Sequence, residues 1–270
     1  MNNRTTRILV AVLSIPFLLG LSYWGEIPFL VLVLAIGLFS FKEFSDMSNN
    51  KGESVNLVFG SLTVAALILN AYFRFSDLQL IVLLSMILIL IHELFRDKGS
   101  ALRNVGSTLL GIIYIGLFSS TIVSIREYFA GTLQYSNGGL LIISIFITLW
   151  VTDSAAYFLG SAFGKNKLFP RVSPNKSWEG AIAGFVFAIV TIIVLKFFIL
   201  QFLTLVDAIV LGIIIGLFGQ IGDLVESLLK RDTGVKDSSN IIPGHGGILD
   251  RFDSLIFSSP FVYIYIAYII

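Results

Sequence analysis

Between Gly222 and Asp253 the chain reads G-D-L-V-E-S-L-L-K-R-D-T-G-V-K-D-S-S-N-I-I-P-G-H-G-G-I-L-D-R-F-D, gathering acids, bases, glycines and a histidine between two apolar segments. Asp223, Glu226, Ser227 and Lys230 are spaced i, i+3, i+4 and i+7, which puts them on one face of a helix. Taken alone, a solvated helix end with Lys230 as ion-pair partner explains that face about as well as a binding site does. Beyond it, Arg231, Lys236 and Arg251 add cations, and Asp250 and Asp253 add a second pair of acids three residues apart. Carboxylates in this pattern suit a hard cation such as Mg2+, which retains waters and bridges phosphates. Such an ion would neutralise phosphoryl oxygens and relieve the repulsion between the acids. Capping of a first helical turn is the competing explanation for Asp250 and Asp253. It accounts for one acid better than for two.

Three further groups point the same way. Pro243-Gly244-His245-Gly246-Gly247 reads as a phosphate-facing connector, since glycines allow close backbone approach and successive amides form an anion-binding concavity. An ordinary turn with a surface His245 is the plainer reading of the same residues. Ser173-Pro174-Asn175-Lys176-Ser177-Trp178-Glu179-Gly180 offers the Lys176 ammonium and the neutral donors Ser173, Asn175 and Ser177. A capped helix start at Ser177 explains part of this, and helix starts themselves bind anions. Asp153, seven residues before Gly160, lies roughly 10 Å from that end of an apolar helix. An acid at that depth is expected to face a protein-lined or watered cavity rather than lipid.

The elements that must position these groups are membrane helices. With 56% hydrophobic and 13% charged residues, and a mean hydropathy of +0.91, the chain has more apolar surface than one soluble core can hide. The absence of cysteine removes disulfides and thiolate chemistry, and a net charge of +1 steers no partner. Apolar runs predict an all-α, polytopic membrane protein of about nine transmembrane helices, near 5–24, 27–44, 55–73, 78–95, 105–125, 138–160, 179–200, 204–222 and 249–270. The eighth is expected to continue past the membrane boundary. If nine spans alternate, 15 of the 18 Lys and Arg residues fall on the side of the amino terminus, and only Arg74, Arg126 and Lys196 fall opposite. That bias places the polar loops in the cytoplasm and the carboxyl terminus outside. Gly212, Gly216, Gly219 and Gly222 read chiefly as a packing stripe. Residues 1–137 are expected to supply packing and dimer contact, and residues 138–270 the chemistry.

The pattern S-x-x-K-R-x-x-x-x-K-D, a short spacer, P-G-H-G-G, two residues and D-R-x-D is complete from Ser227 to Asp253. It resembles the phosphatidate cytidylyltransferases, or CDP-diacylglycerol synthases. Ser173 to Gly180 and the helical segment from Asp153 through Ala156, Tyr157 and Gly160 are similar to two further motifs of that family. The resemblance covers about 150–255. It implies transfer of CMP from CTP to phosphatidic acid at a cell membrane, a divalent ion (Mg2+, with Mn2+ as the alternative), K+ as a second cation, and a homodimer. Metal ligands carried over by the resemblance are Asp223 and Asp250, with Asp253 close by. Lys176, Lys230, Arg231, Lys236 and Arg251 are expected to share the nucleotide and lipid phosphates, with Ser173, Asn175, Ser177, Ser227, His245 and Gly246 as further contacts. Partners are CTP, phosphatidic acid and membrane lipids, with no nucleic acid. A CTP-dependent polyprenol or dolichol kinase would need a similar cavity but would move the γ-phosphoryl group. A transporter for ions or phosphate would spread its polar groups across the spans, whereas here they gather on one side.

Overall fold

The computed structural model describes residues 3–241 and 246–270. Its helices are α1 Asn3–Trp24, α2 Glu26–Asn50, α3 Leu57–Phe73, α4 Leu78–Leu94, α5 Ala101–Arg126, α6 Ser136–Phe163, α7 Trp178–Phe198, α8 Leu205–Asp232 and α9 Leu249–Ile269. This is an all-α polytopic membrane protein. Among the described residues, α2, α5, α6, α7, α8 and α9 are long and apolar enough to cross a bilayer, and α1, α3 and α4 contribute shorter apolar stretches.

One expected boundary moves, and one expected extension is present. α2 continues to Asn50 rather than stopping near 44, because Phe44 and Met47 extend the buried stripe of Phe29, Val33, Ile36 and Ser40 at helical spacing. α8 runs on to Asp232, as its charged face required. Residues 161–178, expected to be a plain polar connection, hold a small antiparallel hairpin of β1 Lys167–Phe169 and β2 Ser173–Ser177. Pro170 presets a turn in which the Val172 amide donates to the Phe169 carbonyl at 3.1 Å. Within α5, Ile112–Leu117 is wound as a π-helix.

The chain forms two compact units. The first comprises residues 1–21, 25–124 and 229–252. Its centre is α2 against α3 and α5, with Phe41, Val64, Ile68 and Ile115 fully buried. Small residues permit this packing: a β-carbon at Gly116 would stand 2.9 Å from Val64 Cγ2, and one at Gly111 would stand 2.8 Å from the rings of Phe41 and Phe44. The second comprises residues 22–24, 125–228 and 253–270. The glycine stripe of α8 does here what packing predicted. Gly212 meets the Ile189 backbone, Gly216 meets Ala188 and Phe185, Gly219 meets Leu149, and Gly222 meets Phe257, Asp253 and Ser254. Arg126, wholly buried, donates to the carbonyls of Ser22 (2.7 Å), Tyr23 (2.9 Å) and Tyr135 (3.3 Å) and ties the ends of three segments together.

Candidate active site

In the second unit, α8 and α9 touch where Gly222 has no side chain. A β-carbon there would come within 2.6 Å of Phe257 Cβ and 3.0 Å of the Asp253 carbonyl. This approach lets the next turns of α8 face Asp253. Asp223, Glu226 and Asp253 each present a carboxylate oxygen within 4.8 Å of the others, with Glu226 1% and Asp253 8% exposed. Two like charges at about 4 Å repel by about 4 kcal/mol at the effective dielectric of such sites. Three hard oxygen donors drawn so close fit a divalent ion of the Mg2+ class. Lys176, delivered by β2, reaches Asp223 Oδ2 at 2.5 Å, and Ser227 Oγ lies 3.4 Å from Asp223 Oδ1. One lysine thus stands beside the most accessible of the three acids.

The remaining residues of the Ser173 to Gly180 segment divide by role. Ser177 caps α7, accepting from the Gly180 amide at 3.2 Å, and is buried against Gly160 and Gly164. Asn175 is exposed and Ser173 half-buried. Glu179 accepts from Asn166 Nδ2 at 2.8 Å and so fixes the hairpin to the start of α7. Asp153 occupies the exposed side of α6 and is not among the three clustered acids.

The first unit contains a different arrangement. Asp250, in the first turn of α9, accepts from Lys230 Nζ at 2.6 Å through Oδ1. Its Oδ2 accepts from the Ser238 amide (2.9 Å), the Ser238 hydroxyl (2.9 Å) and the Gly247 amide (2.7 Å). At least one amide of the glycine-rich connector is therefore directed at a protein carboxylate. Gly246 adopts φ +83°, in the left-handed region that favours glycine, and a β-carbon there would lie 2.6 Å from Asp250 Oδ2. Arg231 donates to the Val235 carbonyl at 3.1 Å, and Arg231, Lys236 and Arg251 are exposed. Pro243, Gly244 and His245 lie outside the described residues.

Two acids take places that the sequence reading had not assigned them. Glu226, read only as part of a polar helix face, joins the carboxylate cluster, and its burial removes the alternative of a solvated helix end. Glu43 of α2, 1% exposed, accepts four hydrogen bonds from Ser238, Ser239, Ile248 and Leu249. Its signal was present in the sequence: Phe29, Val33, Ile36, Ser40, Glu43 and Met47 recur at intervals of four and three, placing an acid on a core stripe.

Comparison with known proteins adds a family match and three relatives. The model of the cytidylyltransferase family matches residues 5–269. The phosphatidate cytidylyltransferase of Bacillus subtilis (strain 168) is 36% identical over 266 residues, covering 97% of each chain, and that of Staphylococcus haemolyticus (strain JCSC1435) is 35% identical over 257 residues, covering 94% of this chain and 95% of the relative. The phosphatidate cytidylyltransferase of Haemophilus influenzae is 49% identical over 133 residues, which span 46% of this chain and 45% of the relative.

Proposed function

We propose how this chain works from what it is: it belongs to the phosphatidate cytidylyltransferase family. It transfers CMP from CTP to phosphatidic acid, forming CDP-diacylglycerol and pyrophosphate. The observation that carries the residue assignment is the cluster of Asp223, Glu226 and Asp253 with Lys176 beside it.

A phosphatidate oxygen attacks the α-phosphorus of CTP. A new P–O bond forms, the α–β phosphoanhydride bond breaks, and pyrophosphate leaves with the electron pair. Phosphatidate is already ionised near neutral pH, so the chain need not remove a proton or form a covalent intermediate. Asp223 and Asp253, with Glu226, would hold Mg2+, for which Mn2+ can substitute. When bound, that ion supplies charge neutralisation and Lewis-acid polarisation of phosphoryl oxygens. Asp250 keeps its expected place among the metal ligands in this reading, with K+ as a second cation. Lys176 exchanges its contact with Asp223 for a phosphate oxygen, a charge-assisted bond that gives both strength and direction. Lys230, Arg231, Lys236 and Arg251 divide between nucleotide and lipid phosphates. Ser227 orients Asp223. Ser173, Asn175, His245 and Gly246 contact the nucleotide, and Ser177 shapes the turn that presents Lys176.

All nine helices cross the bilayer in this reading, and the charge bias puts the chemistry on the cytoplasmic side. The diacyl chains then stay in lipid while CTP arrives from water. Residues 1–137 supply packing and the contact of a homodimer, and residues 138–270 the reacting groups. The test is to incubate the purified protein in detergent micelles with labelled CTP and phosphatidate. Cytidine label entering the lipid with release of pyrophosphate, abolished by chelation and restored by Mg2+, is the expected result. Label entering the lipid from the γ-phosphate alone would overturn it in favour of a kinase.

A further inference from the structure

Glu43 sits on α2, far along the chain from every residue assigned above, yet its carboxylate is built into the segment that precedes α9. Oε1 accepts from the Ser239 hydroxyl at 2.6 Å and the Ile248 amide at 2.9 Å. Oε2 accepts from the Ser238 hydroxyl at 3.0 Å and the Leu249 amide at 2.8 Å. The four donors flank residues 240–247 on both sides, so one side chain pins both ends of that connector.

The amides of Ile248 and Leu249 belong to the start of α9, where helix geometry leaves N–H groups without intrahelical acceptors. An ordinary helix start meets them with a Ser, Thr, Asp or Asn side chain at the cap. Here the residue at that place is Ile248, whose side chain offers no acceptor, and Glu43 supplies one from beside the preceding Gly247: a β-carbon on Gly247 would stand 2.5 Å and 2.6 Å from the two Glu43 oxygens. Asp250 completes the arrangement by reaching back three residues to the amide of Gly247, the residue before the cap. Glu43 and Asp250 also meet through one residue. The Ser238 hydroxyl lies 3.0 Å from Glu43 Oε2 and 2.9 Å from Asp250 Oδ2, and the Ser238 amide donates to Asp250.

We propose that Glu43 is a positioning residue of the reaction: it supplies the missing cap of α9 from α2, closes the connector between Ser239 and Ile248, and thereby sets the Asp250 carboxylate and its Lys230 partner. The inference rests on the cytidylyltransferase reading for the meaning of Asp250, but the geometry it describes does not. It gives the amino-terminal half of the chain a part in positioning the reacting groups, where packing and dimer contact had been expected.

Glu43→Gln is the diagnostic variant. It preserves volume but offers one acceptor oxygen in place of two, so an amide nitrogen must face a backbone N–H. The full-length variant in detergent is compared with the parent by hydrogen exchange of the amides at 247–250, by kcat and KM, and by the Mg2+ concentration giving half-maximal turnover. Expected are faster exchange at 247–250 with α6 and α7 unchanged, kcat lower by about tenfold or more, a higher Mg2+ midpoint, and a phosphatidate KM within about twofold of the parent. Ser239→Ala, which leaves both backbone donors in place, is expected to lose about threefold or less. Parental exchange at 247–250 with a parental Mg2+ midpoint would overturn the proposal, as would acceleration of exchange throughout the protein. A parent that makes no CDP-lipid would instead sink the functional reading, and the exchange data would still decide whether Glu43 holds the connector.

Discussion

Asp223 and Asp250 are both acids at the polar ends of long apolar helices, but their neighbours differ in kind. Asp223 is grouped with two other carboxylates and one lysine, whereas Asp250, like Glu43, is wrapped by amide, hydroxyl and ammonium donors. An acid surrounded by acids concentrates negative charge and calls for a cation. An acid surrounded by backbone donors also orders the chain around it, because each accepted N–H fixes a peptide plane. The two regions thus set one side-chain type in different surroundings, and the identity of the surrounding atoms distinguishes them.

The comparison is sharpest at Asp223. Asp223→Asn keeps shape while removing one charge from the cluster, and CMP transfer is expected to fall by on the order of a hundredfold or more, with raised Mg2+ demand and unchanged membrane insertion. Near-parental turnover by the inserted variant would break the assignment.

Gly247→Ala attacks the other region. Its β-carbon would collide with the Ser238 hydroxyl and press on both Glu43 oxygens. Overpacking of this kind costs about 1–3 kcal/mol, so thermal unfolding in detergent is expected to come earlier and turnover to drop about tenfold. Unaltered melting would show that the connector yields more readily than its hydrogen bonds imply.

Lys176→Met removes the cation beside the cluster but none of its acids. The expected change is a rise of about tenfold in KM for one of the two phosphate substrates, measured by varying CTP and phosphatidate separately, with a smaller change in the Mg2+ midpoint. A shift confined to the midpoint would make Lys176 a partner of Asp223 and nothing more.

The smallest effect belongs to Asp46, three residues beyond Glu43 on α2. It pairs with Lys42 at 2.6 Å on an exposed face. Such pairs are screened by water and salt, so Asp46→Asn is expected to leave turnover and melting at parental values while Glu43→Gln does not. Equal losses from both would mean that α2 simply tolerates no change in charge there.

Several of these residues were legible before any fold was known. The i, i+3, i+4 relation of Asp223, Glu226 and Ser227 needs only a helix, and the packing role of Gly212 through Gly222 needs only a neighbour. Ser177 as the cap of α7 follows from a serine before an apolar run. The hairpin at Lys167–Phe169 and Ser173–Ser177 was missed because its strands are too short to show an alternating pattern and lie in a stretch broken by Gly164, Pro170 and Pro174. The end of α2 was placed early because Lys42, Glu43 and Asp46 interrupt an apolar run that the burial of Phe44 and Met47 nevertheless continues.

From its residue order this chain determines its solvent, its apolar spans, the charge bias of its loops and the acid and base pattern by which it resembles its family, since all of these depend on intervals of a few residues along one element. Only tertiary structure decided that Glu226 faces Asp253 and that Glu43 serves amides 205 and 206 positions away. A helix repeat tells which side of a helix is buried but says nothing of what lies opposite, and for a carboxylate the atoms opposite determine whether it gathers a cation or caps a helix.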